Sequence, residues 1–283
     1  MISVGIVGLG FVGGAASKSF KLKGADVYVF DKYKDGGIGS IDDVLSSKIV
    51  FLCLPTPYNE DLKAYDKSAI MEVCDQLEKY QFSGLVVVKS TVEPETVNKL
   101  TSKFPFLRIA HNPEFLTART AFEDFHNQNH VILGKGLRAT EEDMELLRSF
   151  YAMYYPKAKI TMCKAIESES MKIMCNSFYA SKVMLFNEYY LLCKKNGADF
   201  EKIRDLMLAN NWINPMHTLV PGPDAKLGFG GACFPKDTNA LCNYMKSLKS
   251  TCKVLESVIE ERNILRDDNT NVISSSKENL SIS

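Results

Sequence analysis

The chain is poor in the residues that metal sites, secreted frameworks and charged partners require. Its 283 residues include four histidines, His111, His126, His130 and His217. No two are placed as metal ligands on one helix face, which argues against the common histidine metal motifs. Eight cysteines, at 53, 74, 163, 175, 193, 233, 242 and 252, include no CxxC pair and lie mostly inside apolar runs. That usage excludes zinc spacing and a secreted disulfide framework, and no metal is expected. There is no excess of charge either: 34 Lys plus Arg balance 34 Asp plus Glu. General attraction to nucleic acid or to an anionic membrane is therefore not expected, and an anionic ligand has to be held locally. No apolar run reaches membrane length, and residues 1–7 open directly into a strand pattern without a signal peptide, so the expected location is the cytoplasm. An internal repeat is also missing.

What is present is alternation. Residues 2–7, 26–30, 49–54 and 85–88 are apolar runs of strand length, separated by helical stretches at 12–23 and 68–80. Such a pattern describes an α/β domain, a doubly wound parallel sheet covered on both faces, over residues 1–138. From Thr140 the pattern turns helical, with a short strand at 160–162, a long helix at 166–196 and further helices at 200–210, 239–245 and 254–266. An all-helical central domain is expected over 139–266, and the Asn- and Ser-rich residues 267–283 are expected to be disordered. The apolar stripe Met171, Met174, Phe178, Val183 and Phe186 on the long helix reads as core or dimer interface.

Two segments carry chemistry. The first is GLGFVG, with Gly8, Gly10 and Gly13 between a strand and a helix and Asp31 closing the next strand, the arrangement of a dinucleotide site. Gly8 permits the turn, Gly10 admits the pyrophosphate, and Gly13 allows close packing of helix on strand. Phe11 and Val12 open the helix whose free N–H groups would face the phosphates. Asp31 can accept hydrogen bonds from the adenosine ribose hydroxyls, which favours NAD over NADP, although Lys32 and Lys34 blur that preference. Loops after later strands offer Thr56, Ser90 and Thr91 to the nicotinamide half, or as turn residues that satisfy the backbone.

The second segment is GFGGACFPKD, Gly228 to Asp237. Cys233 follows a run of glycines and Ala232 and precedes Lys236 and Asp237, so a nucleophilic thiolate has a cation within one helical turn. A buried structural cysteine is the plainer reading. The polar, glycine-rich setting argues for function.

These segments, with LPTP (54–57), KSTVEPET (89–96), HNPEFL (111–116) and ESESMKIMCNSF (167–178), stand in one order that resembles the UDP-glucose/GDP-mannose dehydrogenase family over residues 1–266. The resemblance implies oxidation of the C6 hydroxymethyl of a nucleotide sugar, UDP-glucose being the first expectation, to the carboxylate with two NAD and a cysteine-bound intermediate. It assigns Cys233 as nucleophile, Lys172 as base or oxyanion stabiliser with Asn176 on the same helix face, and Glu114 as the residue implicated in thioester hydrolysis. Asp237 and Thr91 match positions that hold water, and Lys236 joins the cofactor contacts. Glu114, Phe115 and Leu116, with Lys226, Leu227, Gly228, Phe229 and Gly230, would hold the sugar nucleotide beside Lys172 and Asn176. A homodimer through the long helix is a further expectation from resemblance. Simpler roles exist: Lys172 and Asn176 as a solvated stripe, Glu114 as a local cap, and Asp237 as N-cap of a helix starting near Asn239.

The sequence departs from the family pattern in places. Asp31 to Pro55 is short, which trims the adenosine pocket; Thr117, Ala118 and Arg119 stand where a small residue, Glu and Gly are usual; and His217 replaces a frequent arginine. A third, C-terminal nucleotide-binding domain typical of the family is not expected within these residues. Two other functions stay open: from these departures, a catalytically impaired NAD- and sugar-nucleotide-binding subunit that needs a partner, and from the Rossmann domain, helical second domain and chain length, a two-domain β-hydroxyacid dehydrogenase, which would use the helix lysine but no cysteine.

Overall fold

A computed structural model of the chain describes residues 2–266, so the tail expected to be disordered lies outside the described residues. The chain divides into two compact units after Lys172. In the first, strands β1 (Ser3–Val7), β2 (Asp26–Phe30) and β3 (Ile49–Leu52) alternate with helices α1 (Phe11–Leu22) and α2 (Ile41–Leu45). A small hairpin follows, β4 (Tyr58–Asn59) and β5 (Ala64–Tyr65), then α3 (Ser68–Lys79), β6 (Leu85–Val88), α4 (Thr96–Lys103) and β7 (Arg108–His111). The unit continues with α5 (Ala121–His126), β8 (His130–Lys135), α6 (Glu141–Tyr154) and β9 (Lys159–Lys164), and the long helix α7 (Ala165–Asn196) begins in it.

Seven strands form one sheet in the order β2-β1-β3-β6-β7-β8-β9, parallel except for an antiparallel step between β7 and β8. Both faces are covered, and the strands show it residue by residue. Val4, Ile6, Ile49, Phe51, Leu85 and Val87 belong to one apolar core with Phe20 of α1, Phe125 of α5 and Phe150 of α6. Their neighbours Val7, Val50, Leu52, Val86 and Val88 belong to another, with Val44 of α2, Ile70 and Leu77 of α3 and Leu100 of α4. Alternate side chains leave a strand on opposite faces, so a strand apolar at every position must be buried twice.

The boundary expected at 138/139 falls too early. Thr140 does start α6, through a capping box in which its hydroxyl accepts the Asp143 N–H and Asp143 accepts the Thr140 N–H. That helix packs Leu147, Phe150 and Tyr151 into the first core, and β9 pairs with β8 from His130 to Lys135. The region after residue 139 is thus not all-helical, and its first part completes the sheet.

In the second unit, α7 ends at Gly197, whose φ of 76° suits the residue after a helix. Helices α8 (Phe200–Leu208), α9 (Phe234–Ser247) and α10 (Lys253–Leu265) follow. Two apolar clusters hold them: Phe186, Cys193, Phe200 and Val220, and Ala180, Met184 and Phe229. The stripe read on α7 is only partly buried. Phe186 is enclosed, while Met174 and Phe178 are exposed, as are Leu185, Tyr189 and Leu192.

Candidate functional site

The glycine turn between β1 and α1 has the expected geometry. A Cβ on Gly8 would stand 2.4 Å from the Cys53 carbonyl oxygen, and the residue adopts φ +89°. One on Gly13 would stand 1.8 Å from the Gly8 oxygen, so α1 lies directly on the turn. A Cβ on Gly10 would meet nothing within 4 Å. Gly10 is also the N-cap of α1 and has no side-chain cap, which leaves open space in front of unpaired N–H groups. This cradle fits a pyrophosphate.

Asp31 is turned towards that cradle, where it holds protein backbone. Its Oδ2 accepts the Leu9 N–H at 2.7 Å, and Oδ1 accepts Tyr33 and Lys34 N–H at 3.0 and 2.9 Å. Partial burial acts to raise its pKa, but the hydrogen bonds from Leu9, Lys34 and Tyr33 outweigh it and hold the carboxyl below the usual range. Lys34 Nζ donates to the Leu9 oxygen at 2.8 Å, so the short segment after Asp31 folds back on the turn. Ser90 and Thr56 act mainly on loops. The Ser90 hydroxyl accepts the Leu54 N–H and donates to the Leu54 oxygen, and Thr56 donates to the Thr91 oxygen at 2.8 Å. Both residues are buried, whereas Thr91 is partly exposed.

At the carboxyl ends of β6 and β7 the first unit gathers buried charge. Lys172, early on α7, pairs with Glu114 at 3.2 Å, and the other Glu114 oxygen accepts the Leu116 N–H at 2.5 Å. The Lys172 ammonium also lies 5.3 Å from the centre of the Phe115 ring. Lys172 and Glu114 are thus brought together, and Lys172 is no solvated surface lysine. Sequence reading missed Lys89. It is 2% exposed, donates to Asn112 Oδ1 at 2.8 Å and lies 5.2 Å from the Phe125 ring centre. Burial lowers its pKa to about 8, against the nearby Cys53 and Glu114, which raise it. Asn112 in turn accepts the Tyr151 hydroxyl and donates to the Ile132 oxygen. His111 bonds Ser168 at 2.8 Å, and burial lowers its pKa to about 3, so it is neutral. One signal was available: a lysine directly after LVVV can only end a buried strand.

The second unit places Cys233 as the N-cap of α9, exposed, with Pro235 in the first turn. The helix begins at Phe234, ahead of the expected Asn239, so Asp237 lies inside it and cannot be its N-cap. Asp237 is fully buried one turn after the thiol. Its Oδ2 accepts Asn176 Nδ2 at 2.5 Å and its Oδ1 accepts Lys236 Nζ at 2.6 Å. Asn176 and Lys172, four residues apart on α7, therefore have different partners.

Much of the loop before Cys233 is engaged by its own unit. Gly228 N–H donates to Asn187 Oδ1 at 2.9 Å, Arg266 donates to the Leu227 and Gly228 oxygens, and Arg262 donates to the Phe229 oxygen at 3.0 Å. Asp224 pairs with Arg266, whose guanidinium fills the space where a Gly230 side chain would stand. Backbone groups expected to hold the sugar nucleotide are in part bound by these arginines, which sequence reading did not single out. His217, in a left-handed conformation at φ 66°, stacks on Tyr179 at 4.8 Å and touches Phe234 at 5.4 Å. Burial, helped by Lys182, lowers its pKa. Among the described residues no helix is long and apolar enough to cross a membrane.

A phosphate-cradling βαβ unit followed by a helical unit that presents a cysteine defines a two-unit dinucleotide-binding protein. The chain belongs to the UDP-glucose/GDP-mannose dehydrogenase family, whose NAD binding domain it matches over residues 39–155 and whose central domain over 166–263. NAD is thus the cofactor of the first unit. The glycine turn and Asp31 precede the matched residues, and their part rests on the geometry above. A UDP-glucose 6-dehydrogenase from Rickettsia prowazekii is 34% identical over 231 residues, 78% of this chain and 50% of that protein. The chain spans about half the length of such relatives. A UDP-glucose dehydrogenase structure from Pyrobaculum islandicum superposes with a TM-score of 0.81 at 25% identity, over 93% of this chain and 68% of that one. A 3-hydroxyisobutyrate dehydrogenase from Mycobacterium tuberculosis shares the fold, with a TM-score of 0.72 at 18% identity over 95% and 94% of the two chains.

Proposed function

We propose that the chain catalyses NAD-dependent oxidation of the C6 hydroxymethyl of a nucleotide sugar, UDP-glucose first among candidates, to the carboxylate. The observation that carries this reading is the exposed Cys233 at the start of α9, one turn before the buried Asp237 with Asn176 and Lys236 on its two oxygens. A helix N-terminus favours negative charge, which suits a thiolate, and the buried cluster fixes polar groups near it.

Bound NAD supplies the hydride acceptor for both oxidations. Lys172 passes a proton to its partner Glu114 and takes the hydroxyl proton in its place, and the resulting ammonium steadies the oxygen as the alcohol becomes an aldehyde. Cys233 Sγ then bonds to the aldehyde carbon, and the oxygen takes up a proton to give a thiohemiacetal. Loss of hydride from that carbon and of the hydroxyl proton gives a thioester. Water then adds to it, Asp237, Thr91 and Glu114 being the residues at family positions that hold water or serve the hydrolysis, and the carboxylate leaves as the thiol re-forms. Family relatives named UDP-glucose 6-dehydrogenase support this substrate class. Phe178, Leu185 and Leu192, exposed at seven-residue intervals on α7, support a homodimer through that helix.

The test is NADH formation with UDP-glucose, GDP-mannose and UDP-N-acetyl sugars. Turnover with one of them is expected, and its absence with all of them refutes the reading. Cys233→Ser is expected to lower acid formation more than about a thousandfold while NAD still binds. Unchanged turnover in that variant would remove the covalent mechanism.

A further inference from the structure

Cys242, Cys252 and Glu256 carry none of the roles assigned above, and nothing in their spacing along the chain groups them. The fold does. Cys242 is on α9, Cys252 is the N-cap of α10 after a tight turn, and Glu256 stands one turn along α10, its N–H donating to the Cys252 oxygen at 2.9 Å. One ligand atom from each, two sulfurs and a carboxylate oxygen, all lie within 4.8 Å of one another. Both cysteines are buried and neither is in a disulfide.

The geometry points to a site for a borderline-soft divalent cation of the zinc type, held by Cys242, Cys252 and Glu256. Thiolates select such a cation over magnesium or calcium. Zinc binds sulfur at about 2.3 Å and carboxylate oxygen at about 2.0–2.2 Å, so tetrahedral ligand atoms are roughly 3.3–3.8 Å apart. The three atoms are close enough to reach that spacing by small side-chain rotations. Charge also balances. Two thiolates and a carboxylate carry three negative charges, a divalent cation removes two, and Lys246, whose Nζ lies 2.9 Å from Glu256 Oε1, offsets the third. Cys242 and Glu256 line a groove of about 520 Å³ with Asn239 and Asn243, from which water can supply the fourth ligand. The cation would clamp α9, which starts beside Cys233, to α10, which carries Arg262.

The histidine and CxxC patterns that excluded metal do not see this arrangement, because the ligands come from two helices folded against each other.

The test uses the whole chain, freed of metal by chelation, and titrated with Co²⁺ as the spectroscopic probe. One equivalent should produce sulfur-to-cobalt charge-transfer absorption and tetrahedral d–d bands, displaced by Zn²⁺, and Zn²⁺ should raise Tm. Cys242→Ala should abolish the bands. Glu256→Gln, at a partly exposed position that leaves packing intact, should weaken binding at least about tenfold. Cys233→Ser should bind like the parent. Absence of stoichiometric binding, bands undiminished in both Cys242→Ala and Glu256→Gln, or bands lost in Cys233→Ser would overturn the site.

Discussion

Asp237 shows how much depends on one hydrogen bond. Its carboxyl is fully buried with Asn176 on one oxygen and Lys236 on the other. Removing a partner from a buried charged group costs about 1.5–3 kcal/mol, since the desolvation already incurred is no longer compensated. Asn176→Ala is expected to lose that much in urea unfolding and to impair turnover as well. A loss below about 0.5 kcal/mol would show that water replaces the amide. Among the glycines, Gly10 and Gly13 should separate binding from folding. A Cβ at Gly10 meets open space, so Gly10→Val should keep Tm near that of the parent and weaken NAD binding more than about tenfold in calorimetry. Gly13→Ala should lower Tm, because its Cβ would collide with the Gly8 carbonyl.

Helix α4 begins with its free N–H groups on a side chain from another helix. Glu169 of α7 accepts the Glu95 N–H at 2.8 Å and the Val97 N–H at 2.7 Å, acting as a remote cap. Burial raises its pKa to about 7, against those two hydrogen bonds, which lower it. The sign follows directly. A raised carboxyl pKa means that the folded state holds a proton that the unfolded chain has lost, so this group's stabilisation is full below about pH 4.5 and declines as pH rises to about 7. The decline is on the order of 3 kcal/mol. Glu169→Gln should flatten this part of the pH dependence in unfolding measured at pH 5 and 7.5, and an unchanged slope would contradict the assignment. The cap was not legible in the sequence, because Glu169 and Val97 are distant in the chain and only the fold joins them. Local patterns served better. Apolar runs of strand length located β1, β2 and β6 closely, and the change of pattern at Thr140 located the start of α6. The start of α9 was misplaced because Pro235 reads as a loop residue, although proline is well tolerated in a first helical turn. The glycine turn and the cysteine segment were legible because each is a continuous stretch. Lys89, Tyr151, Arg262 and Arg266 were not, since their partners lie far off along the chain.

Taken whole, the chain leaves a good deal of apolar surface to water on its longest helix. Phe178 is 65% and Leu192 58% exposed, with Leu185 between them. A row of this kind marks an association surface more often than a monomer face. Analytical ultracentrifugation should find a dimer, and Phe178→Asp combined with Leu185→Glu should convert it to monomer with helical content unchanged. A monomeric parent would remove the dimer proposal. The arginines in α10 and just after it have a different consequence. Arg262 and Arg266 come late in the chain, yet they bind the loop that leads to Cys233. The approach to the nucleophile is therefore held from a part of the chain that follows it, so a substitution at Arg262 or Arg266 would act on Cys233 without touching its own segment.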